Sequence, residues 1–333
     1  MALKNKILKW GILGVGNMAH NFVHDLLLVP EAKVLGAASR SADKSKKFAS
    51  QYQLPNSYEN YEQLLVDSTI DIVYIATPHH NHAELAIKAM ECGKHVLCEK
   101  PLAVNKIQVQ QMVSTSVTQN KFLMEALWSR FNPCINLVFD HIKNGDIGEV
   151  NYINADFGLV IDKGAGHRIH HLDTAGGALL ELGVYPVFLA YSILGMPTKI
   201  LASGKLDKQT GTDIQTGIIL KSAKGIASLY AGFNSESDMI AKIYGTEGRI
   251  YLDPYWHETE TYSITKGNDA DTIVQEYSSP RKGKGFVGEI EECFKCIMKK
   301  EIQSTLWSHA DSLNLISIMD DIRDQVGLRY PFE

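Results

Sequence analysis

Apolar residues recur in short runs along the N-terminal part of the chain, and helical patterns separate these runs. Ile7–Leu13, Lys33–Ser39 and Asp71–Ala76 have the length and composition of buried strands. Between the first two runs, Phe22 and Leu26 lie four residues apart, as on one face of a helix. Strands that alternate with helices are typical of βαβ units and predict a parallel sheet covered by helices.

A different pattern follows in the C-terminal part, where alternating or β-branched runs succeed one another with turn residues between them. Such runs predict a mostly antiparallel sheet. They are Val150–Phe157, Lys199–Leu206, Ile214–Leu220, Ile226–Ala231, Met239–Tyr244 and Arg249–Leu252. Further on, Ser308 and Asp311 have the spacing of a capping box and predict the start of a last helix.

The length and charge of the chain narrow the class of protein. The 333 residues, of which 45% are hydrophobic, suffice for two α/β domains with large cores. The net charge of −5 offers no basic field for nucleic acid or an anionic membrane. No apolar run approaches the roughly 18 residues that a membrane span needs. We therefore expect a soluble protein that binds a small molecule, and neither nucleic acid nor a membrane.

The cysteines predict a reducing environment. The chain has five, which is an odd and low number for its length, and no secretory signal precedes them. Cys293 and Cys296 have a C-x-x-C spacing, but the surrounding residues from Glu289 to Lys300 form a charged helical pattern. We interpret both as structural thiols and expect a cytoplasmic protein.

A glycine-rich motif follows the first predicted strand. Gly14, Gly16 and Ala19 form the pattern G-x-G-x-x-A between a strand and an amphipathic helix that begins with Asn17 and Met18. In a dinucleotide site the first glycine makes the turn, the second lets the pyrophosphate approach the backbone, and the third residue packs helix against strand. The start of the helix supplies unpaired N–H groups to the phosphates. An ordinary tight turn is the alternative, which this context disfavours.

The end of the second predicted strand indicates the cofactor. An NAD site has an acidic residue about 20 residues beyond the glycine motif, where it binds the ribose. This chain has Ser39 and Arg40 there, and a hydroxyl with a guanidinium suits a 2′-phosphate. Lys44, Lys46 and Lys47 add local positive charge. We predict NADP rather than NAD; the alternative is a solvated helix start with no ligand.

Several segments together resemble the Gfo/Idh/MocA oxidoreductase family, and the resemblance spans nearly the whole chain. They are Gly14–Ala19, Glu99-Lys100-Pro101, Glu125–Phe131, Gly176–Tyr185 and Gly245–Gly248. The third and fourth segments look most like those of dimeric dihydrodiol dehydrogenases, NADP-dependent xylose dehydrogenases and glucose–fructose oxidoreductase. The resemblance implies an N-terminal Rossmann domain, for which we expect residues 1–125, and a C-terminal α/β domain, residues 126–333. In the family the open sheet of the second domain closes the substrate cleft and commonly forms a dimer face, so we expect a homodimer.

The E-K-P segment carries the predicted chemistry. Lys100 follows a parallel strand at its carboxyl end, where ligands bind in doubly wound sheets, and Pro101 disfavours a helical conformation at Lys100. In the family the matching lysine lies beside the nicotinamide and the substrate hydroxyl, and the matching tyrosine faces it. The resemblance therefore implies proton transfer by Lys100 and Tyr185. Which of the two gives and takes the proton stays open, because their titrations would be coupled.

Glu181 precedes Tyr185 by four residues, so a helix would place both on one face. We predict that Glu181 orients the substrate or Lys100. The family usually has Asp at this position, so the contact of the longer side chain stays open.

Other residues are predicted to contact the cofactor by their place in the family motifs. They are Thr77, Pro78, Asn81, His82, Glu99, Trp128 and Arg130. A packed tryptophan and a surface arginine are the alternative for the last two. The neighbouring histidines His79, His80 and His82 lack a ligand set with fixed spacing, so we predict no metal site. A second polar cluster is interpreted as loop residues or substrate contacts: His167, His170, His171 and Asp173.

The function that these observations favour is an NADP-dependent dehydrogenase acting on a sugar, a cyclic polyol or a trans-dihydrodiol. A nucleotide-binding regulatory protein without turnover is the alternative, which the presence of both Lys100 and Tyr185 disfavours. A third option is an enzyme that retains its cofactor tightly and passes hydride between two sugars. The sequence does not select the substrate, because scattered loop residues recognise hydroxyl groups.

Overall fold

The computed structural model describes residues 6–161, 164, 166–267 and 273–333. These residues form two compact units. The first contains the chain up to Phe131 together with Lys282–Leu313, and the second contains Asn132–Arg281 together with Asn314–Glu333. The units thus interleave along the chain, whereas the predicted division after residue 125 follows the order of the sequence.

A parallel six-stranded sheet forms the centre of the first unit. Its strands are β1 (Leu8–Leu13), β2 (Ala32–Ala38), β3 (Asn56–Tyr58), β4 (Ile72–Ile75), β5 (His95–Glu99) and β6 (Leu123–Ala126). They lie in the order β3-β2-β1-β4-β5-β6, and every neighbouring pair is parallel. This confirms the predicted Rossmann-type sheet. The strand order reverses between β1 and β4, which is where such sheets bind their ligands.

Five helices accompany this sheet. They are α1 (Asn17–Leu26), α2 (Ala42–Gln51), α3 (Tyr61–Leu65), α4 (His82–Glu91) and α5 (Lys106–Gln119). The side chains of Ser41, Asn60 and Asn105 cap α2, α3 and α5 by accepting a backbone N–H of the first turn. Among the described residues no side chain caps α1 in this way, so its first N–H groups stay available to a ligand. The start of α4 differs, because a 3-10 turn at His79–Asn81 leads into it and the N–H of His82 donates to the carbonyl of His79.

The second unit contains an eight-stranded, mostly antiparallel sheet. Its strands are β7 (Val150–Gly158), β8 (Lys199–Leu206), β9 (Asp213–Lys221), β10 (Ile226–Gly232), β11 (Ala241–Gly245), β12 (Gly248–Leu252), β13 (Thr261–Lys266) and β14 (Ile273–Ser278). Their order is β14-β13-β12-β11-β7-β10-β9-β8, and only β7 and β10 are parallel among these pairs. The six predicted runs are confirmed as β7 to β12. The strands β13 and β14 were not predicted from the sequence. The edge strand β14 is mostly exposed and has no clear alternation of apolar and polar residues.

One face of the eight-stranded sheet carries exposed apolar side chains. Tyr152 lies opposite Ile226, and Leu201 lies opposite Ile219, all on the same face. Their exposed fractions are 38%, 43%, 51% and 38%. In a single chain this face therefore carries exposed apolar side chains on the half of the sheet that runs from β7 to β8.

The remaining helices are α6 (Pro133–Lys143), α7 (Val184–Leu194), α8 (Val287–Met298) and α9 (His309–Val326). The predicted capping box at the start of α9 is confirmed. The backbone N–H of Ser308 donates to Asp311 Oδ2 at 2.8 Å, and the N–H of Asp311 donates to Ser308 Oγ at 3.2 Å.

The C-terminal segment that contains α8 joins the first unit through a buried carboxylate. Asp25 in α1 is fully buried and accepts the backbone N–H groups of Lys284 at 2.8 Å and Phe286 at 2.9 Å. These bonds hold the loop before α8 against α1. A side chain in α1 thus decides the placement of residues that lie far away in the sequence.

The charged pattern of α8 is only partly solvated. Glu289 is fully buried and its two carboxylate oxygens have no hydrogen-bond partner among the described residues. Burial and the nearby Glu99 and Asp25 raise the pKa of Glu289 well above its usual range. The charged helical pattern thus forms the helix α8, in which one of the charged residues, Glu289, lies inside the protein. Cys293 and Cys296 are buried free thiols.

One helical stretch of the described residues is long and apolar enough to span a membrane, whereas the sequence analysis expected no such run. Leu172–Leu194 has 23 residues and a mean hydropathy of 1.6 in its 18-residue window. Within the protein 83% of that window is buried. The core helix of a soluble protein has the same length and composition, so the stretch is weak support for a membrane span.

Candidate active site

The turn after β1 requires glycine at its first position. Gly14 has a φ of +93°, and a Cβ at this position would lie 2.5 Å from the carbonyl oxygen of Ala76. Ala76 follows β4, so the turn after β1 contacts the chain after the adjacent strand. Any side chain at position 14 would push the two loops apart, at the point where the strand order reverses.

Gly16 has a different reason to lack a side chain. It is exposed, its φ is −82°, and a Cβ there would meet no atom within 4 Å. The open space lies at the start of α1, where Asn17 is exposed and Met18 half-buried, while Ala19 is buried in the helix contact. Open space at an uncapped helix start accommodates a phosphate group.

The loop after β4 adds a polar group to this edge of the sheet. Thr77 is buried, and its Oγ1 makes no hydrogen bond within the described part of the chain. Pro78 and Asn81 are half-buried in the turn that leads into α4. An uncapped helix start, an open space beside Gly16 and an unpartnered hydroxyl together fit a dinucleotide.

The end of β2 keeps the predicted residues but uses the serine differently. The hydroxyl of Ser39 donates to the carbonyl of Ser41 at 2.7 Å and accepts from the hydroxyl of Ser45 at 3.1 Å. It therefore shapes the turn into α2. Arg40 is exposed, lies beside Tyr61 and forms no ion pair among the described residues. The contact of Arg40 with a 2′-phosphate stays a prediction.

Lys100 lies at the carboxyl end of β5, as predicted. It is half-buried, and the peptide bond between Lys100 and Pro101 is cis. Glu99 is buried and accepts a hydrogen bond from the hydroxyl of Tyr74 and one from the backbone N–H of Lys100. The carboxylate of Glu99 therefore supports the turn from inside the unit.

Glu125, in β6, holds the next residue of this turn. Its carboxylate accepts the backbone N–H of Leu102 at 2.9 Å, the indole N–H of Trp307 at 2.9 Å and the hydroxyl of Ser312 at 2.6 Å. Burial raises the pKa of Glu125, and the hydrogen bonds and the charge of Lys100 act against that rise. The sequence analysis did not assign a role to this side chain. Its partners Trp307 and Ser312 come from a distant segment, which no local pattern reveals.

His82 bonds to the loops after both β4 and β5. Its side chain is fully buried at the start of α4. Nε2 lies 2.9 Å from the carbonyl oxygen of Thr77, and Nδ1 lies 2.9 Å from the carbonyl oxygen of Pro101. The imidazole thus contacts the protein backbone with both nitrogens.

Trp128 and Arg130 follow β6 in a short helical turn. Trp128 stacks on Phe286 with ring centroids 5.1 Å apart and 26° between the ring planes. The Nε of Arg130 donates to the carbonyl of Leu306 at 2.8 Å. The sequence analysis did not include Phe286, because its place beside Trp128 depends on the distant loop that Asp25 holds.

The candidate residues of the second unit lie on a helix with an irregular first turn. Leu179–Gly183 forms a π-helical turn that leads into α7. Glu181 lies in this turn and forms an ion pair with Arg168, and Tyr185 lies in the first turn of α7 with 6% of its surface exposed. The wider turn changes the simple four-residue spacing on which the prediction rested. Such insertions occur frequently at functional sites.

Aromatic rings surround Tyr185. The ring of Phe157 lies 5.5 Å and the ring of His257 lies 5.2 Å from the Tyr185 ring. Phe157 and His257 also stack on each other at 4.2 Å. Neither these neighbours nor Arg168 was predicted from the sequence. Arg168 lies inside the segment that contains His167, His170 and His171.

A buried acid supports the segment that carries Glu181 and Tyr185. Asp213 accepts the backbone N–H of Leu179 at 2.8 Å and the hydroxyl of Thr216 at 3.3 Å. Its second carboxylate oxygen has no hydrogen-bond partner in the described residues. Burial raises the pKa of Asp213 to about 6.

Two family profiles match the chain. Residues 8–127 match the profile described as an oxidoreductase family with an NAD-binding Rossmann fold, and residues 136–251 match the GFO/IDH/MocA C-terminal domain. The chain belongs to the GFO/IDH/MocA oxidoreductase family. The first unit of this oxidoreductase therefore contains an NAD(P)-binding Rossmann domain.

Relatives in this family align with nearly all of the chain. The trans-1,2-dihydrobenzene-1,2-diol dehydrogenase of Xenopus tropicalis is 34% identical over 332 residues, which cover 97% of this chain and 99% of that protein. The enzyme of the same name from Mus musculus is 31% identical over 337 residues, with coverage of 97% and 98%.

Solved structures of the family share the fold of this oxidoreductase. KijD10, a 3-ketoreductase from Actinomadura kijaniata in complex with NADP and TDP-benzene, superimposes with a TM-score of 0.87 at 24% identity, covering 96% of this chain and 98% of that one. The aldose-aldose oxidoreductase from Caulobacter crescentus, complexed with glycerol, gives a TM-score of 0.85 at 21% identity, with coverage of 97% and 98%. These TM-scores establish a common fold.

The first unit of this family member gathers the predicted residues Gly14, Thr77, His82 and Lys100 at one edge of its sheet, and the second unit holds Glu181 near Tyr185. The proximity of Lys100 to Tyr185 stays a prediction. Among the described residues, no group of three or more His, Cys, Asp or Glu side chains is arranged to hold a metal ion.

Proposed function

We propose that this oxidoreductase transfers hydride between NADP and a hydroxyl group of a sugar, a cyclic polyol or a trans-dihydrodiol. The observation that carries the proposal is the similarity, over 97% of the chain, to dehydrogenases that act on a trans-dihydrodiol. The position of Lys100 at the carboxyl edge of the parallel sheet supports it, because ligands of doubly wound sheets bind there.

The preference for NADP rests on the end of β2. No carboxylate follows this strand at the position that would bind the ribose hydroxyls of NAD, and the exposed guanidinium of Arg40 is available for a phosphate. Lys44, Lys46 and Lys47 are exposed on α2 and add positive charge nearby. The crystallised relative KijD10 binds NADP.

Lys100 and Tyr185 transfer the proton of the substrate hydroxyl. Oxidation of a secondary alcohol removes a proton from oxygen and a hydride from carbon. When bound, NADP accepts the hydride. The side chains of Lys100 and Tyr185 both bind the hydroxyl oxygen, and the one that is deprotonated, as an amine or a phenolate, receives its proton. A cation near the phenol lowers the phenol pKa and makes transfer near neutral pH feasible.

The protein acts in the cytoplasm as a homodimer. The five free cysteines suit a reducing compartment. The exposed apolar side chains of the eight-stranded sheet, with Leu201 51% exposed, suit contact with a second copy. Sedimentation of the purified protein at several concentrations measures this association, and a monomer throughout would contradict it.

The main test replaces Lys100 with Met and screens sugars, polyols and dihydrodiols with NADP by the absorbance of the reduced nicotinamide. We expect turnover to fall by about 10²–10⁴-fold, the usual contribution of a proton-transfer group, while NADP still binds. Lys299→Met, which removes an exposed lysine of the same unit, is the matched control. Near-normal turnover in Lys100→Met contradicts the assignment of Lys100. Lack of turnover by the unmodified protein, together with a stoichiometric protein partner, would favour a regulatory role.

A further inference from the structure

The imidazole of His82 lies between two backbone carbonyls. Its Nδ1 and Nε2 each lie 2.9 Å from a carbonyl oxygen, that of Pro101 and that of Thr77. A carbonyl oxygen only accepts hydrogen bonds, whereas a neutral imidazole has one donor nitrogen. A neutral ring therefore donates to one of the two carbonyls and packs against the other.

The two carbonyls belong to different loops of the proposed site. Thr77 lies in the loop after β4, against the Gly14 turn. A Cβ at position 14 would lie 3.2 Å from the Cγ2 of Thr77. Pro101 directly follows Lys100 in the turn after β5. The ring of His82 therefore ties the loop beside the dinucleotide motif to the turn that carries the lysine.

We propose that His82 is a positioning residue whose ring fixes the Lys100–Pro101 turn relative to the Thr77 loop. This inference rests on the proposed function, in which Lys100 binds the reacting hydroxyl. In this proposal His82 acts by holding the turn of Lys100, instead of contacting the cofactor directly as the sequence predicted. Placement errors of about 1 Å at a reacting group can lower a rate by roughly 10²-fold, so such a tie affects turnover.

Glu125 also holds the same turn, through its next residue. Its carboxylate binds the N–H of Leu102 at 2.9 Å and is anchored by Trp307 and Ser312. A variant without the His82 bonds keeps this second attachment. We therefore expect His82 variants to fold while the Lys100 turn becomes less well fixed.

The kinetic test compares His82→Phe and His82→Gln. The phenyl ring makes neither bond, whereas the amide has one donor group and can restore one of them. We expect kcat to fall by about 10- to 100-fold in His82→Phe and less in His82→Gln, with KM for NADP within about threefold of its original value. A normal kcat with a raised KM for NADP would overturn the proposal and favour a direct cofactor contact.

His95→Gln is the matched control. The Nδ1 of His95 accepts the backbone N–H of Phe122 at 3.0 Å, at the amino end of β5, which is the opposite end of the strand from Lys100. This substitution also removes an imidazole that is bonded to the backbone. We expect kcat to stay within about threefold of the original, and a loss equal to that of His82→Phe would overturn a specific role for His82.

A chemical measurement tests the proposal without turnover. Competitive acetylation followed by mass spectrometry gives the reactivity of Lys100 relative to the exposed Lys299. We expect this ratio to change several-fold in His82→Phe but not in His95→Gln. An unchanged Lys100 reactivity in His82→Phe overturns the proposal. If the unmodified protein and Lys100→Met are equally inactive, the proposed function fails while this measurement still decides the role of His82.

Discussion

The two sheets of this protein present their candidate residues in different ways. All strands of the six-stranded sheet run in the same direction, so the residues that follow β1, β4 and β5 lie at the same end of the strands, the carboxyl end. Gly14, Thr77 and Lys100 are such residues. Most neighbouring strands of the eight-stranded sheet run in opposite directions, so the residues that follow neighbouring strands lie at opposite ends of the sheet. Its candidates Glu181 and Tyr185 lie on a helical segment instead.

This difference teaches that parallel topology converts positions in the sequence into neighbours in space. A residue after a parallel strand is placed by the strand itself. Tyr185 is placed by packing: Gly183 lies close enough to Ala231 of β10 that a Cβ at position 183 would be 3.3 Å from the Ala231 side chain. We therefore expect substitutions in the two units to affect different properties.

The largest expected effect is that of a substitution in the helical segment of the second unit. Tyr185→Phe removes only the hydroxyl group, and we expect kcat to fall by about 10²–10⁴-fold because a proton-transfer group is lost. Steady-state kinetics at saturating NADP measure the change. The control is Tyr191→Phe on the same helix, whose hydroxyl accepts a hydrogen bond from Asn314 at 2.9 Å. Equal kinetics for the two variants would show that Tyr185 is a packing residue.

The next effect concerns the edge of the parallel sheet. Arg40→Ala should lower kcat/KM for NADP by about 10- to 150-fold, the equivalent of a charged hydrogen bond, and leave kcat/KM for NAD nearly unchanged. Measurement with both cofactors separates the two. Lys33→Ala, which removes an exposed charge at the opposite end of β2, serves as the control. A loss that is equal for NADP and NAD would remove Arg40 from the cofactor prediction.

A smaller effect separates the two glycines of the same turn. Gly16→Ala meets no atom within 4 Å, so we expect the free energy of unfolding to change by less than about 0.5 kcal/mol. The methyl group should still weaken NADP binding about tenfold, because the pyrophosphate approaches the backbone there.

Gly14→Ala is the contrasting variant. Its Cβ would lie 2.5 Å from a carbonyl oxygen at a φ of +93°, so we expect a loss of stability of about 1–3 kcal/mol. Chemical denaturation and calorimetric NADP titration measure both properties. Weakened binding without destabilisation in Gly14→Ala would contradict the assigned difference.

The last effect, spread over about two pH units, is a pH dependence of stability in the second unit. The pKa of Asp213 is about 6 in the folded protein and 3.8 ordinarily, so folding favours its protonated form. The stability of the unmodified protein relative to Asp213→Asn should therefore fall as the pH rises from about 4 to about 6. The total difference over this window is about 3 kcal/mol.

Denaturation of both proteins across this pH range measures the difference. Asp207→Asn is the control with the opposite sign, because backbone N–H groups of Thr210 and Gln209 lower the pKa of Asp207. Its carboxylate contributes stability that is lost as the pH falls. A difference between Asp213→Asn and the unmodified protein that does not vary with pH would contradict the buried, charge-penalised state of Asp213.

The sequence alone determined the parallel sheet, six strands of the open sheet, the capping box of α9 and the dinucleotide motif. Local physics is sufficient for these features: period-two and helical patterns fix the elements, and parallel topology then places Gly14 and Lys100 at one edge. Recognition of the family added the prediction for Tyr185.

Only the tertiary structure decided which distant side chains support these residues. The hydrogen bonds of Glu125 to Trp307, the stacking of Phe286 on Trp128 and the ion pair of Glu181 with Arg168 join segments that no local pattern relates. The same holds for His82, whose partners are backbone carbonyls that every residue possesses. A chain pattern encodes burial and local conformation, whereas the partner of a buried polar group depends on which backbone atoms the completed fold brings within about 3 Å.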